Sequence, residues 1–178
     1  MIAPAGNQIV SQLAWSAETG ALSFNAVRYL LIRPETLMQW QQGVEAELGT
    51  RAGDLAYAGG FVGGRLSGQR YKEALGLNVQ EAVAFMCQMG GQIGWGRFDL
   101  QRLDLERQTL EVAVHNSVFA QGYTGLGSEA APAPVCHLIR GVLGGLLSGL
   151  LGVAVRAQES ECLAAGAASC RFVVEAVA

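Results

Sequence analysis

Positive charge is scarce in this chain and nowhere gathered. Twelve Lys and Arg stand against fifteen Asp and Glu, for a net charge of -3, and charged residues make up only 15% of the sequence. With no basic stripe to track a phosphate backbone, nucleic acid is excluded as a partner, and apolar molecules or protein surfaces are expected instead. The N-terminus, MIAPAGNQIVSQLAW, has no positive stretch leading into an apolar core. It does not read as a secretory signal, and a reducing, cytoplasmic location is expected. A membrane span is also missing: the longest apolar run, 138–155, carries Arg140 near its start and then about 15 uncharged residues, short of the roughly 20 needed. Nor does any G-x-G-x-x-G follow a strand-like run. Without a nucleotide cradle there is no evident hydride source, and catalysis is not expected.

Apolar and small residues are what the chain has in quantity. Hydrophobic residues make up 51% and glycines number 24 in 178 residues, enough chain for one domain that buries its own core. In a reducing compartment the four cysteines are expected as ligands or buried thiols rather than disulfides.

Helical spacing of Ile9, Val10, Leu13 and Ala14 predicts a helix over 2–15 with one buried stripe. The run 26–32 (AVRYLLI), apolar on both faces, predicts a strand covered on two sides. Pro34 and Glu35 suit the start of a helix that Gly49 closes. The stretch 51–70 is helical in pattern yet holds Gly59, Gly60, Gly63, Gly64 and Gly68, each costing about 0.5 to 1 kcal/mol against Ala. Their i, i+4 rows imply close approach to this backbone, by another helix or by a ligand. Asn78 and Glu81 form a capping-box pair for a helix carrying Val79, Val83, Met86 and Met89, with Cys87 as a buried free thiol.

Arg97 to Glu106 and Thr109 to Ser117 predict an antiparallel hairpin, with Leu110, Val112 and Val114 on one face and His115 on the other. Gln121 to Pro134 reads as a loop. Val135 to Leu151 is the last helix, with Gly141, Gly145 and Gly149 on one stripe, and 153–159 and 170–177 read as closing strands. The two glycine-faced helices and the sheet are expected to wall a pocket, with Trp95, His115, Gly141, Gly145 and Gly149 as candidate lining.

The remaining chemistry sits near the C-terminus. Cys136, Glu159, Cys162 and Cys170 offer three thiolates and a carboxylate, a donor set suited to a closed tetrahedral Zn²⁺ site of structural type. Spacing alone is equally compatible with three buried reduced thiols. Strand parity puts Glu159 and Glu161 on the same face. Glu161 points opposite to its neighbour Cys162 in an extended chain, so Glu159 is preferred and Glu161 held in reserve. His137, adjacent to Cys136 on a helix, is poorly placed to share the ion. Arg171 or Arg140 is expected nearby to offset the surplus negative charge.

These residues, together with RYLLIRPETL, the G-x-x-x-G helix from Gly59, GWGRF, HNS, VCHLIRGVLGGLLSGLLG and E-x-x-C-x-x-x-G-x-x-x-C-x-F, resemble the 4-vinyl reductase domain family. That family includes sensory domains of phenol-responsive regulators and is related in fold to small subunits of the TRAPP vesicle-tethering complex. The resemblance runs over about residues 24–176, so 1–23 is assigned as an N-terminal helix and lead-in and 24–178 as the domain. It implies an α+β fold, with an antiparallel sheet of four to five strands, helices packed on it, a buried apolar pocket and a homodimer. It further implies zinc held by Cys136, Glu159, Cys162 and Cys170, as in the phenol sensors. Those sensors carry output regions that this sequence lacks, so a signalling role would pass to a separate protein. Three functions follow as expectations: a sensor or carrier of a small apolar or aromatic ligand, an accessory in tetrapyrrole vinyl reduction during chlorophyll biosynthesis, and a TRAPP-like dimeric scaffold.

Overall fold

The computed structural model describes residues 6–125 and 130–177. Its first elements are a single helical turn, α1 (Gln8–Ser11), and three short strands, β1 (Ala14–Trp15), β2 (Leu22–Phe24) and β3 (Val27–Tyr29), which form a small antiparallel sheet. Two expectations are corrected here. The helix over 2–15 shrinks to α1, because of its apolar stripe only Ile9 is buried, and Ala14 and Trp15 pair with Ser23 and Leu22 instead; residues 1–5 lie outside the described part. The strand over 26–32 shortens to β3. Asn25 and Ala26, at φ 48° and 59°, turn the chain tightly between β2 and β3, a backbone suited to a two-residue hairpin. Beyond Tyr29 the chain leaves the sheet, and Leu30, Leu31 and Ile32 are 73%, 84% and 52% exposed.

Three helices follow: α2 (Pro34–Leu48), α3 (Arg51–Glu73) and α4 (Val79–Gln92). Pro34 fills the first turn of α2 and Gly49, at φ 57°, ends it. At the start of α4 the capping box forms as its sequence indicates. The Glu81 N–H donates to Asn78 Oδ1 at 3.0 Å and the Asn78 N–H to Glu81 Oε2 at 2.9 Å. Asn78→Ala should therefore cost about 1 kcal/mol, read as a melting temperature lower by roughly 2–4 °C.

The second half builds the main sheet from β4 (Arg97–Asp104), β5 (Thr109–His115), β6 (Val155–Glu161) and β7 (Cys170–Ala176), in the antiparallel order β4-β5-β7-β6. Register aligns Leu110, Val174 and Ala157 in one row and Val112, Phe172 and Glu159 in the next, and it sets Val114 opposite Cys170. All of these are buried, so the face bearing them is the inner one, covered by α4 and by α6 (His137–Leu151). Part of the loop expected over 121–134 is instead helical, α5 (Val118–Thr124), because Ser117 caps it and Phe119 and Ala120 anchor it in the core. Residues 126–129 lie outside the described part.

The glycine rows explain how α6 reaches the core. Gly60, Gly64 and Gly68 of α3 face the carbonyls of Leu138, Val142 and Leu146, while Gly141, Gly145 and Gly149 of α6 face those of Tyr57, Phe61 and Arg65. A Cβ at any of the six would sit 2.0–2.8 Å from a carbonyl oxygen. The two backbones touch, and Cα–H···O contacts replace side-chain packing. By contrast Gly59 and Gly63 have nothing within 4 Å of a built Cβ, so only one of the two rows in α3 is a packing surface.

Candidate functional site

Local backbone geometry delivers four acidic side chains to one buried point. Cys136 is the N-cap of α6, Glu159 lies on the inner face of β6, Cys162 follows the end of β6, and Cys170 opens β7. One ligand atom from each lies within 4.8 Å of all the others. Cys136 Sγ is 3.6 Å from Cys170 Sγ, which is 4.0 Å from Cys162 Sγ. Sulfur ligands about 2.3 Å from a tetrahedral ion stand about 3.8 Å apart, so the spacing fits such an ion.

Hydrogen bonds hold the carboxylate with one oxygen committed and one unused. Glu159 Oε2 accepts from the Cys136 N–H at 2.8 Å, whereas the buried Oε1 has no partner. An orphaned buried carboxylate oxygen facing three thiols is what a cation would satisfy. The Leu163 N–H also donates to Cys170 Sγ at 3.3 Å, and the positive end of α6 lies at Cys136.

Electrostatics give the same answer. Burial, then the neighbouring Cys162, pushes the Glu159 carboxyl up to about 8. Thiol hydrogen bonds with Cys162 and Cys170, together with burial, raise Cys136 well above the usual range, while bonds from Cys136 and Cys170 pull Cys162 down. Four acids this close cannot all ionise without a positive charge among them. The arginines expected to supply it are engaged elsewhere: Arg171 faces Glu161 at 3.6 Å and Arg140 lies 4.8 Å above the Tyr57 ring.

A bulge separates the two glutamates. The β6–β7 register shifts between Glu159 and Glu161, so Glu161 leaves the parity of Glu159 and stands exposed beside Arg171. His137 packs against Gly53 of α3. Ser117, which sequence reasoning passed over as part of HNS, is fully buried with its Oγ 3.6 Å from Cys136 Sγ. Its signal was positional, a capping serine directly after a buried strand.

A cavity of about 190 Å³ lies elsewhere in the core, lined among others by Ser67 and Tyr71 of α3, Met86 and Met89 of α4, Trp95 and Val142. Of the residues proposed from sequence as pocket lining, Trp95 is here, its ring edge-on to Phe119 at 5.1 Å. His115 stands on the sheet and pairs with Asp99 at 3.2 Å. Gly141, Gly145 and Gly149 are spent on the α3 contact; their smallness admits a helix rather than a guest, which corrects the expectation that they leave open volume. Tyr29, Gly63 and Ser67 line both the cavity and an open groove beside α3 that also reaches Val27 and Arg70. They form the passage between the two. Tyr71, Ser67 and Tyr29 carried no recognisable motif, because only the hairpin and the helix crossing bring them together.

Among the described residues, no helix is long and apolar enough to cross a membrane. No curated protein matches the chain in sequence. Residues 110–176, which hold all four cluster residues, match the family model of the 4-vinyl reductase domain. The fold is similar to that of the phenol-responsive sensory domain of the transcription activator PoxR with phenol, at TM-score 0.83 and 21% identity over 94% of this chain and 86% of that one. It is also similar to a trafficking protein particle complex subunit 3 from Naegleria fowleri covalently bound to palmitic acid (TM-score 0.54, 9% identity, 82% and 95% covered). A vinyl-4-reductase family protein from Methanocaldococcus jannaschii resembles it too (0.53, 15%, 84% and 84%). At these identities the likeness is one of fold, and it agrees with the α+β, TRAPP-like architecture expected from the sequence.

Proposed function

We propose that the protein is a ligand-binding module of sensory type that takes a small apolar or aromatic molecule into its core and is clasped by a structural zinc ion. The observation that carries the reading is the cavity of about 190 Å³ with its almost wholly apolar wall of Met, Trp, Phe and Val side chains. An apolar cavity of about 150 Å³ already holds one benzene ring, so this volume suits one ring with a small substituent. The likeness to a phenol-responsive sensory domain supports the reading. The cavity volume weighs against the tetrapyrrole reading, since four linked pyrroles need several times this space, and nothing specific favours the scaffold reading.

Zinc would be held by Cys136, Glu159, Cys162 and Cys170. It supplies charge neutralisation and cross-linking, because four protein ligands leave no open position for a reacting molecule. The chain's own residues do the rest: α4, α6 and the sheet exclude water, and Tyr29 and Gly63 frame the entry. A second copy, as the resemblance implies, would cover the apolar run Leu30, Leu31 and Ile32. Leu31→Glu should then turn a dimer into a monomer in sedimentation, and a monomeric wild type would remove that part of the reading.

Gly63→Leu tests the pocket. The position faces open space and lines the mouth, so the added side chain blocks entry and also raises helix propensity by up to about 1 kcal/mol. Binding of phenol or toluene, followed by Trp95 fluorescence, should fall at least tenfold while the melting temperature holds or rises. Unchanged binding would sink the assignment of the cavity.

A further inference from the structure

The cavity is apolar except along one side, where the side chains of Tyr71, Ser67 and Tyr29 meet. Tyr71 is 5% exposed and its hydroxyl donates to Met89 Sδ at 3.2 Å. A thioether sulfur is a weak acceptor, so this donor rests on a poor partner in a place where water is scarce. Ser67, four residues earlier on the same face of α3, hydrogen-bonds the Tyr71 side chain and steadies it. Burial, with Tyr29 adding to it, pushes the phenol up to about 12, so it keeps its proton across the neutral range and acts as a neutral donor. Met89 lies on α4 and has several rotatable bonds, so it can yield without moving backbone.

We infer that Tyr71 is the specificity-determining residue of the cavity, turning its hydroxyl from Met89 to an acceptor oxygen on the guest, and so selecting singly oxygenated aromatic or alicyclic molecules over plain hydrocarbons. The inference rests on the pocket reading above. It adds to it a chemical class: a guest with an apolar body filling the volume beside Met86, Trp95 and Val142, and one carbonyl or hydroxyl oxygen at the α3 wall. Discrimination should be modest. Exchanging an O–H···S contact for an O–H···O bond to a neutral acceptor is worth roughly a three- to tenfold change in affinity.

Acetophenone and its hydrocarbon isostere α-methylstyrene separate the terms, because they share shape and differ in the oxygen. Titrated into the full-length, metal-loaded protein by calorimetry, acetophenone should bind roughly three- to tenfold tighter than α-methylstyrene. Tyr71→Phe should erase that difference by weakening acetophenone alone. Met89→Leu removes the resting acceptor without emptying the wall and should tighten acetophenone while leaving the hydrocarbon unchanged. If wild type binds both probes equally, or Tyr71→Phe weakens both alike, Tyr71 is a packing residue and the inference fails while the pocket stands. If neither probe binds, the pocket reading itself fails and takes this inference with it.

Discussion

Stripping the metal with a chelator should lower the melting temperature by about 8–16 °C, and Cys162→Ser should lose metal and stability together. A ligand present at a thousand times its dissociation constant stabilises the native state by about 4 kcal/mol, and a domain of this size shifts by about 2–4 °C per kcal/mol. The structural reason is the position of the four groups. Cys136 starts α6, Glu159 and Cys162 bracket the end of β6, and Cys170 starts β7. One ion therefore ties the last helix to both closing strands. Without it, three thiols and a carboxyl with an unpartnered oxygen remain buried together. Acid should release the ion as well, since every thiol must lose its proton to bind. Cys87, buried and free but outside the cluster, is the control: Cys87→Ser should keep its metal. Differential scanning with metal analysis by mass spectrometry reads both quantities. A metal-free Cys162→Ser protein as stable as wild type would rule out a structural ion.

Gly145→Ala is expected to be the most damaging single methyl in the chain. Its Cβ would lie 2.0 Å from the Phe61 carbonyl oxygen and 2.7 Å from the Arg65 nitrogen, and backbone in the middle of a helix has nowhere to go. Overpacking ordinarily costs 1–3 kcal/mol when side chains can adjust. Here α3 and α6 must separate, so a loss of at least about 3 kcal/mol is expected, or a protein that does not fold. Gly64→Ala, at 2.1 Å from the Val142 carbonyl oxygen, should behave alike. Gly63→Ala, one residue away and facing open space, should instead gain about 0.5–1 kcal/mol from helix propensity. Opposite signs at adjacent glycines, measured by chemical denaturation, would establish that the α3–α6 crossing depends on backbone contact; equal effects would refute it. It also follows that substitution at Gly145 reports on folding and not on guest binding.

Local chemistry was legible wherever a signal repeats over a turn or a strand. The capping box at Asn78, the hairpin of β4 and β5, the last helix and the i, i+4 glycine rows could all be read from spacing, because each depends on neighbours a few residues away. The Cys and Glu set was legible as a donor set for the same reason: its members crowd into the last quarter of the chain, at spacings that strand and turn geometry can close. Choosing Glu159 over Glu161 rested on an extended-chain argument. What separates them in the structure is the bulge near Ser160, a feature of strand pairing that no parity count contains.

The rest was decided by tertiary structure. The apolar run Leu30, Leu31 and Ile32 has the composition of a buried strand, yet the turn at Asn25 and Ala26 sends it to the surface. The glycine rows announce a close approach but not its occupant, and in three dimensions each row meets a carbonyl ladder rather than a ligand. The cavity wall draws on β3, α3, α4 and α6, elements far apart in the chain, so Tyr71 and Ser67 show their role only once the helices cross. Sequence by itself determined the donor atoms of the clasp and the need for two backbones to touch. Tertiary structure alone decided where empty volume remains, because a cavity is what packing leaves over and no single stretch of chain encodes it.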